Sequence, residues 1–450
     1  MTARDRSQRP WWPRPTLRGV VFLSAGALLF LYGLFLERRD ALFIGCFLIA
    51  VPVVAMGYVL VRRLRMHVTR SFSPPIVVAG SESVVALVVQ NLSARPSYGA
   101  RWRDSAEPGI TVPGQTILPG LGRHGRPDEG DTARLEYTLT PRRRGIFGIG
   151  PLVIFRSDPF SLATGEQVLG EAHDLVVTPR VTALPGNALS LTSGEGSLHE
   201  LLRHTNPNSD ELIAREYRPG DPLRRMNWPA TARHGELMVR QEEQRSNPEA
   251  RMIIDTSLSG AGSRAGGALP DRRARLEAAF ELALEMAASV GIHLLEAGFS
   301  LDVVETGPSQ LSPAAERVRG GLRGDAPTTY RVPAGDREFL EGLAGLSVPR
   351  GGRVGSDLPE SPGSAVRNPT VRIPAFAVLV DPDERECREL VALRPYCDPA
   401  VAFVTETVAP ALVERLEDGG WTCVPVRTVR GIAAAWASLD RTGRSVHEPV

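Results

Sequence analysis

Two long apolar runs stand near the beginning of the chain. Residues 17–36 contain one charged side chain, Arg18 at the edge, and residues 41–61 follow after a short charged loop. Each run has about 20 residues, enough to cross a hydrocarbon layer roughly 30 Å thick as a helix. The first run is too long for a signal peptide and the second follows it directly. The pattern predicts a transmembrane hairpin over 17–66.

Arginines flank this hairpin unequally. Two lie in the connecting loop, whereas larger groups precede the first run and follow the second: Arg4, Arg6, Arg9, Arg14 and Arg18 before it, and Arg62, Arg63, Arg65 and Arg70 after it. The positive-inside rule therefore predicts a multi-pass protein of the cell (inner or plasma) membrane, in contact with membrane lipid, with both termini and the soluble domains in the cytoplasm. Residues 1–16 are expected to be a disordered cytoplasmic N-terminus.

Short apolar alternations separated by Gly, Pro and Asn follow the hairpin. They predict strands near 83–89, 134–139, 152–155 and 175–177. Because no helical run lies between them, we expect an antiparallel immunoglobulin-like β-sandwich over 67–181, without the cysteine pair and tryptophan of immunoglobulin domains. A Gly/Ser/Asn-rich linker is expected over 182–209.

From about residue 250 the apolar spacing alternates between that of strands and that of helices. A buried strand at 252–254 is followed by a long amphipathic helix at 271–296, and later strands and helices alternate to the end of the chain. This order predicts a doubly wound parallel α/β domain over 250–445, with a mobile insert around 305–372. The fold class is therefore multidomain α+β: two transmembrane helices, a β-sandwich and an α/β domain.

Oxygen-bearing side chains follow the first strand of this α/β domain. Asp255, Ser257 and Ser259 come directly after it, and Asp381 ends a later strand at the same edge of the sheet. Open α/β sheets bind ligands at this edge, and hard oxygen donors suit Mg²⁺. The sequence therefore offers a candidate Mg²⁺ site. The alternative is that the serines cap a turn and a neighbouring arginine pairs with Asp255.

Arginines crowd the segment 210–249 around a turn containing Pro and Gly. Two interpretations are open: the arginines tie the domains together through neighbouring acids, or they form an exposed surface that binds a partner. The candidate partner-binding residues are Tyr217, Arg218, Asp221, Arg225, Trp228 and Arg233.

Composition excludes several classes of chemistry. The formal net charge is +1, so no basic field would capture nucleic acid. The chain has no lysine, which excludes a Walker-type loop and a Schiff-base lysine. The four cysteines lack zinc or disulfide spacing, no thiol stands beside a candidate base, and the serine-hydrolase elbow is absent. We expect no enzymatic activity.

The arginine-rich segment resembles the hallmark of the bacterial "domain of unknown function 58" family. The similar runs are Arg215–Asp221, Arg225–Trp228, Ala230–Arg233 and Leu237–Arg240. The resemblance implies a von Willebrand factor A-like domain after the hallmark. Such domains carry a metal-ion-dependent adhesion site with an Asp-x-Ser-x-Ser loop, matched by Asp255, Ser257 and Ser259, and a further aspartate, matched by Asp381. Its separate threonine has only Thr328 and Thr329 as nearest candidates.

The same resemblance implies a MoxR-type AAA ATPase as partner, and an association with transglutaminase-like membrane proteins. We therefore expect a non-enzymatic membrane-anchored adaptor that binds such an ATPase and its client with the help of Mg²⁺. One alternative is a regulatory subunit of an envelope or cell-wall enzyme system associated with a transglutaminase. Another is a sensor that binds a small anion at the arginine-rich segment.

Overall fold

A computed structural model describes nine stretches of the chain: residues 12–125, 130–186, 214–216, 228–240, 248–258, 270–307, 310–311, 328–348 and 372–445. The chain divides into two compact units, Met1–Thr178 and Pro179–Val450.

The first unit begins with two helices that pack closely along their length. They are α1 (Leu17–Phe35) and α2 (Arg39–Val61). The buried face of α1 consists of glycines seven residues apart, Gly19, Gly26 and Gly33. A side chain on Gly26 would come within 2.9 Å of Leu48 and Ile49, so the absence of a Cβ is what lets the helices approach.

Ten strands make up the β-structure of this unit: β1 (Arg14–Pro15), β2 (Met66–Ser73), β3 (Ile76–Val78), β4 (Ser83–Asn91), β5 (Arg101–Ala106), β6 (Thr116–Ile117), β7 (Thr132–Leu139), β8 (Gly145–Ser157), β9 (Ala163–Leu169) and β10 (His173–Thr178). One sheet has the order β2-β4-β7, and the other has the path β1-β9-β8-β10-β3. Strand β5 also pairs with β8, and β6 pairs with β5. All these pairs are antiparallel except β10 with β3.

The inward faces of both sheets share one hydrophobic core. Strand β4 alternates strictly, burying Val85, Leu87 and Val89, and β8 contributes Ile149 and Ile154 from the opposite sheet. Alternation with period two places every second side chain inside, so two sheets packed face to face bury both sets.

The expected disordered N-terminus needs correction at residues 14–15. Arg14 and Pro15 pair with Thr164 and Ala163 as strand β1. Residues 1–11 lie outside the described residues.

The second unit contains eight strands and six α-helices within its described residues. The strands are β11 (Ala214–Glu216), β12 (Met238–Arg240), β13 (Glu249–Ile254), β14 (Ser300–Glu305), β15 (Thr328–Tyr330), β16 (Ile373–Leu379), β17 (Cys397–Val404) and β18 (Thr422–Pro425). The α-helices are α3 (Trp228–His234), α4 (Pro270–Glu296), α5 (Gly335–Gly345), α6 (Glu384–Leu393), α7 (Pro410–Asp418) and α8 (Ile432–Ser445).

Six of these strands form one sheet in the order β15-β14-β13-β16-β17-β18. The first strand of the sheet, β13, lies at its centre, and only β15 runs antiparallel to its neighbour. Met252 and Ile254 face one hydrophobic cluster, and Ile253 between them faces the other. Helices therefore cover both faces, as expected for a doubly wound sheet.

Helix α4 is the largest contributor to one face. Phe280, Leu284, Ala287 and Val290 are all buried on it. Three helices of the described chain are long and apolar enough to cross a membrane, and α4 is the third. The most apolar stretch of α4 is 61% buried inside the fold, whereas the corresponding stretches of α1 and α2 are 17% and 22% buried.

Two expectations differ from the described structure here. Part of the segment expected to be a mobile insert is ordered, because β15 pairs with β14 and α5 packs Phe339 into the core. The start of the expected linker also belongs to the α/β unit: the Thr182 N–H donates to Ser289 Oγ at 2.9 Å, and the Trp436 indole donates to the Pro185 carbonyl at 3.1 Å.

Candidate functional site

The carboxyl ends of β13, β14 and β16 meet around the side chain of Asp255. This aspartate follows β13 directly and is fully buried. Its Oδ2 accepts hydrogen bonds from the backbone N–H groups of Val380 at 3.0 Å and Asp381 at 2.8 Å. Its Oδ1 accepts from Thr306 Oγ1 at 3.2 Å and from the Leu258 N–H at 3.2 Å. One carboxylate thus holds three loops together.

Ser257 connects this carboxylate to a second acid. Its hydroxyl lies 3.3 Å from Asp255 Oδ1 and is also hydrogen bonded to Glu386 Oε1. A hydroxyl has one proton, so it cannot donate to both acids. A protonated Glu386 that donates to Ser257, which in turn donates to Asp255, satisfies both contacts.

The surroundings of Glu386 favour that proton. The side chain is fully buried at the start of α6. Burial is the main cause that raises the pKa of Glu386 to about 8, and the nearby charge of Asp255 raises it further. The other carboxyl oxygen accepts from the Asp383 N–H at 2.9 Å, and Asp383 accepts from the Glu386 N–H at 2.8 Å. This reciprocal capping box fixes the acid in place.

Asp381 lies at the same edge of the sheet, with its backbone bound to Asp255. Its Oδ2 is 4.0 Å from the Arg272 guanidinium on α4. Among the described residues, the arginine at this edge lies beside Asp381, whereas the sequence alternative paired an arginine with Asp255.

A threonine that the sequence analysis did not select lies beside Asp255. Thr306 follows β14 and donates to Asp255, whereas Thr329 lies on the edge strand β15 and donates to Asp302 Oδ1 at 2.7 Å. The sequence pattern could have indicated Thr306, because this residue directly follows β14, a strand that pairs with β13. Glu386 was also missed, although the Asp-x-x-Glu spacing of a capping box marks it.

The oxygen donors have the chemistry of a magnesium site, but in this conformation they are engaged with one another. Both oxygens of Asp255 accept protein donors, and the Ser257 hydroxyl is bonded to Glu386. Among the described residues, no group of three or more His, Cys, Asp and Glu side chains is arranged to hold a metal ion. Ser259 lies outside the described residues. The arrangement as described does not fit a bound Mg²⁺.

The arginine-rich segment is described in two parts. Strands β11 and β12 pair antiparallel, with Arg215 opposite Val239, and α3 precedes β12. Trp228 begins α3 with 64% of its surface exposed, and Arg233 is also exposed. The remaining candidates, Tyr217, Arg218, Asp221 and Arg225, lie outside the described residues.

Residues 213–298 match a family model described as "Protein of unknown function DUF58". This range covers residues 213–249 of the arginine-rich segment, together with β13 and α4. Among curated proteins, none matches the chain.

Two solved structures match parts of the chain, with low sequence identity and low TM-scores. A CARDB domain from Pyrococcus furiosus, in complex with di-metal ions, is 15% identical with a TM-score of 0.18, covering 25% of this chain and 88% of that one. The alkylpurine DNA glycosylase AlkC from Pseudomonas fluorescens, bound to DNA containing an abasic site analog, is 9% identical with a TM-score of 0.17, covering 31% and 39%.

Proposed function

We propose that this protein is a non-enzymatic, membrane-anchored adaptor that binds a MoxR-type AAA ATPase and its client. In this proposal, α1 and α2 span the membrane, and α4, which is largely buried among core residues, belongs to the soluble fold. The distribution of arginines around the hairpin supports a cytoplasmic position for both soluble regions.

The α/β unit is proposed to be a von Willebrand factor A-like domain, and the β-structure of the first unit an immunoglobulin-like sandwich. The central position of β13 and the convergence of Asp255, Ser257, Thr306 and Asp381 support the first assignment. Two sheets that enclose one core support the second.

The observation that carries the adaptor proposal is the exposure of Trp228. Large aromatic residues left in water are unfavourable, and tryptophan and arginine are enriched among the residues that dominate binding interfaces. Trp228 and Arg233 lie on one short helix inside the segment that matches the family model. We therefore place the ATPase-binding surface on α3.

In a second form of the proposal, binding of the partner depends on Mg²⁺. An ion completed by a partner carboxylate would require the contact between Ser257 and Glu386 to open first, because that contact occupies the serine hydroxyl. Binding through α3 needs no such step.

Recovery of partners by the tagged full-length chain, isolated from membranes of the native host, tests both forms. The samples are wild type, Trp228→Ala, Arg233→Ala, Ser257→Ala and Val332→Ala, each with Mg²⁺ or with EDTA. Val332 is an apolar residue of the same unit that is 53% exposed, which makes it a matched control for Trp228. Loss of a hot-spot tryptophan costs about 2 kcal/mol, or roughly 30-fold in affinity.

The adaptor proposal expects an AAA ATPase with wild type and Val332→Ala, and strongly reduced recovery with Trp228→Ala. Equal recovery by all variants would place the binding surface elsewhere. Capture of a transglutaminase-like protein without any ATPase would favour the regulatory-subunit alternative. Because an AAA ATPase itself uses magnesium with nucleotide, only a loss caused by both EDTA and Ser257→Ala supports an ion at Asp255.

A further inference from the structure

The turn between β8 and β9, residues 158–162, is built around a buried aspartate. Asp158 is 2% exposed, and its two oxygens accept the N–H groups of Phe160 at 2.8 Å and Ala163 at 2.6 Å. We call this turn the β8–β9 corner. Both carboxylate oxygens therefore accept hydrogen bonds within the turn, and the carboxylate does not face solvent.

Three carbonyl groups of the corner also accept hydrogen bonds. Thr16 donates its N–H to the Leu162 carbonyl at 2.9 Å and its hydroxyl to the Ser161 carbonyl at 2.6 Å. The Asp158 carbonyl accepts the Ser161 N–H at 3.0 Å. Each of these pairings lowers the cost of bringing the turn towards a region poor in water, where an unpaired backbone group costs several kcal/mol.

The helices set the depth at which the corner lies. Thr16 is the N-cap of α1, so the corner is attached to the very end of the first apolar helix. Leu162 and Ala163 pack with Ala55 and Val59 of α2. Ala55 is six residues before the end of α2, which corresponds to ~9 Å along the helix.

Direct contacts hold α1 to the corner and the end of α2 to β9. A side chain on Gly19 would come within 2.1 Å of the Leu162 carbonyl oxygen, so α1 lies against the corner. After α2, the Gln167 side chain accepts the Leu64 N–H at 3.0 Å and donates to the Leu64 carbonyl at 2.7 Å. The sandwich is therefore held at a fixed height relative to the hairpin.

Phe160, at the tip of the corner, is 69% exposed. We propose that the β8–β9 corner is a lipid-binding element, with Phe160 inserted at the boundary between headgroups and acyl chains of the bilayer that the hairpin crosses. Aromatic rings favour this boundary, and the exposed Arg18 and Arg62 at the helix ends suit the lipid phosphates. The inference rests on the proposed transmembrane hairpin.

Spin labelling of the full-length chain in lipid vesicles tests the inference. One label is attached at Phe160→Cys and another at Ile146→Cys, both in a Cys46→Ser background. Ile146 is an exposed apolar residue near the opposite end of β8, eleven positions before Ser157, and serves as the matched control. Native Cys46, exposed on α2, reports the bilayer interior in the wild-type chain. The Cys46→Ser protein alone gives the background from the other cysteines.

Collision with oxygen and with a water-soluble nickel reagent is then measured at each label. The proposal expects the collision rate with nickel to be well below that of position 146 when the label is at position 160. The collision rate with oxygen at position 160 should lie between the rates at positions 146 and 46. Equal nickel collision at 160 and 146, with Cys46 protected, would overturn the lipid-binding corner and leave the hairpin intact. Nickel collision at Cys46 as high as at position 146 would overturn the hairpin itself.

Discussion

Glu386 occupies an unusual position for an acid, because burial, a hydroxyl contact and a nearby carboxylate act on one side chain. Its pKa of about 8 lies above the ordinary value of 4.5. The folded protein therefore keeps a proton that the unfolded chain releases near pH 4.5. The stabilisation is fully present below pH 4.5 and is lost as the pH rises to about 8.

We expect Glu386→Gln to flatten this pH dependence. The neutral amide keeps the shape of the protonated acid but does not titrate, so unfolding of the variant should lose the decline in stability between pH 5 and pH 8. Urea unfolding at pH 5, 6.5 and 8 measures the difference. Glu384→Gln, on the same helix turn with a side chain 77% exposed, is the control and should behave like wild type. An unchanged slope in Glu386→Gln would contradict a raised pKa.

A buried ion pair in the first unit joins Arg70 and Asp104 at 2.7 Å. Tyr137 donates to the same aspartate at 2.6 Å, and burial together with that charge raises the pKa of the phenol. We expect Asp104→Asn to destabilise the protein by about 3–5 kcal/mol, because Arg70 would remain buried without its counterion.

The neighbouring exposed pair Arg134–Glu136 provides the comparison for this prediction. Its side chains are 70% and 51% exposed. Glu136→Gln should change the stability by less than about 1 kcal/mol, because water already screens the pair. Thermal unfolding of both variants measures the difference, and similar losses in the two would mean that burial does not govern the energy of these pairs.

At the scale of elements, the hairpin is defined by where its glycines lie. A Cβ on Gly45 of α2 would lie 2.7 Å from the Phe30 backbone nitrogen, whereas a Cβ on Gly57 meets nothing within 4 Å. Both glycines are in the same helix, so the two positions differ in packing and share the effect of alanine on helix propensity.

Gly45→Ala should therefore weaken the packing of α1 on α2 by about 1–3 kcal/mol, the range for an overpacked site. Gly57→Ala should be neutral or slightly stabilising. Thermal denaturation in detergent micelles compares the two variants. A loss of stability in both, of similar size, would show that helix flexibility rather than close approach explains the glycines.

Apolar periodicity predicted the longer elements well. Helix α4 forms where the spacing placed it because it buries an apolar stripe against one core. Strands β13 and β14 also form where they were predicted, because their apolar residues are packed on both faces of the sheet. Strands β1 and β15 have two and three residues and were not predicted. Such short segments have no period of their own, and the sheet edge that each one pairs with determines their conformation.

Sequence reasoning selected Asp255, Ser257 and Asp381 but missed Thr306 and Glu386. Asp255 and Ser257 follow one strand, and the rule for α/β sheets was enough to select them. Thr306 and Glu386 are 51 and 129 positions from their hydrogen-bond partners. Their role follows from strand order and helix capping together, which a linear pattern does not contain.

At the scale of the whole molecule, each compact unit has its own hydrophobic core. The sandwich core contains Leu87, and the core on one face of the α/β sheet contains Leu284; both side chains are fully buried. Replacing either leucine with alanine removes the same number of carbon atoms and leaves a cavity, which lowers the free energy of unfolding by about 2–5 kcal/mol.

We expect each substitution to loosen its own unit alone. In Leu87→Ala, amide hydrogen exchange should quicken in β4, β7 and β8 while β13 and β16 keep the wild-type rate, and Leu284→Ala should give the reverse. Exchange is followed by mass spectrometry on the full-length chain in micelles, so the hairpin stays in place. Separate responses follow if cooperativity ends at the boundary of each core. Faster exchange in both units after either substitution would show that the two cores unfold as one.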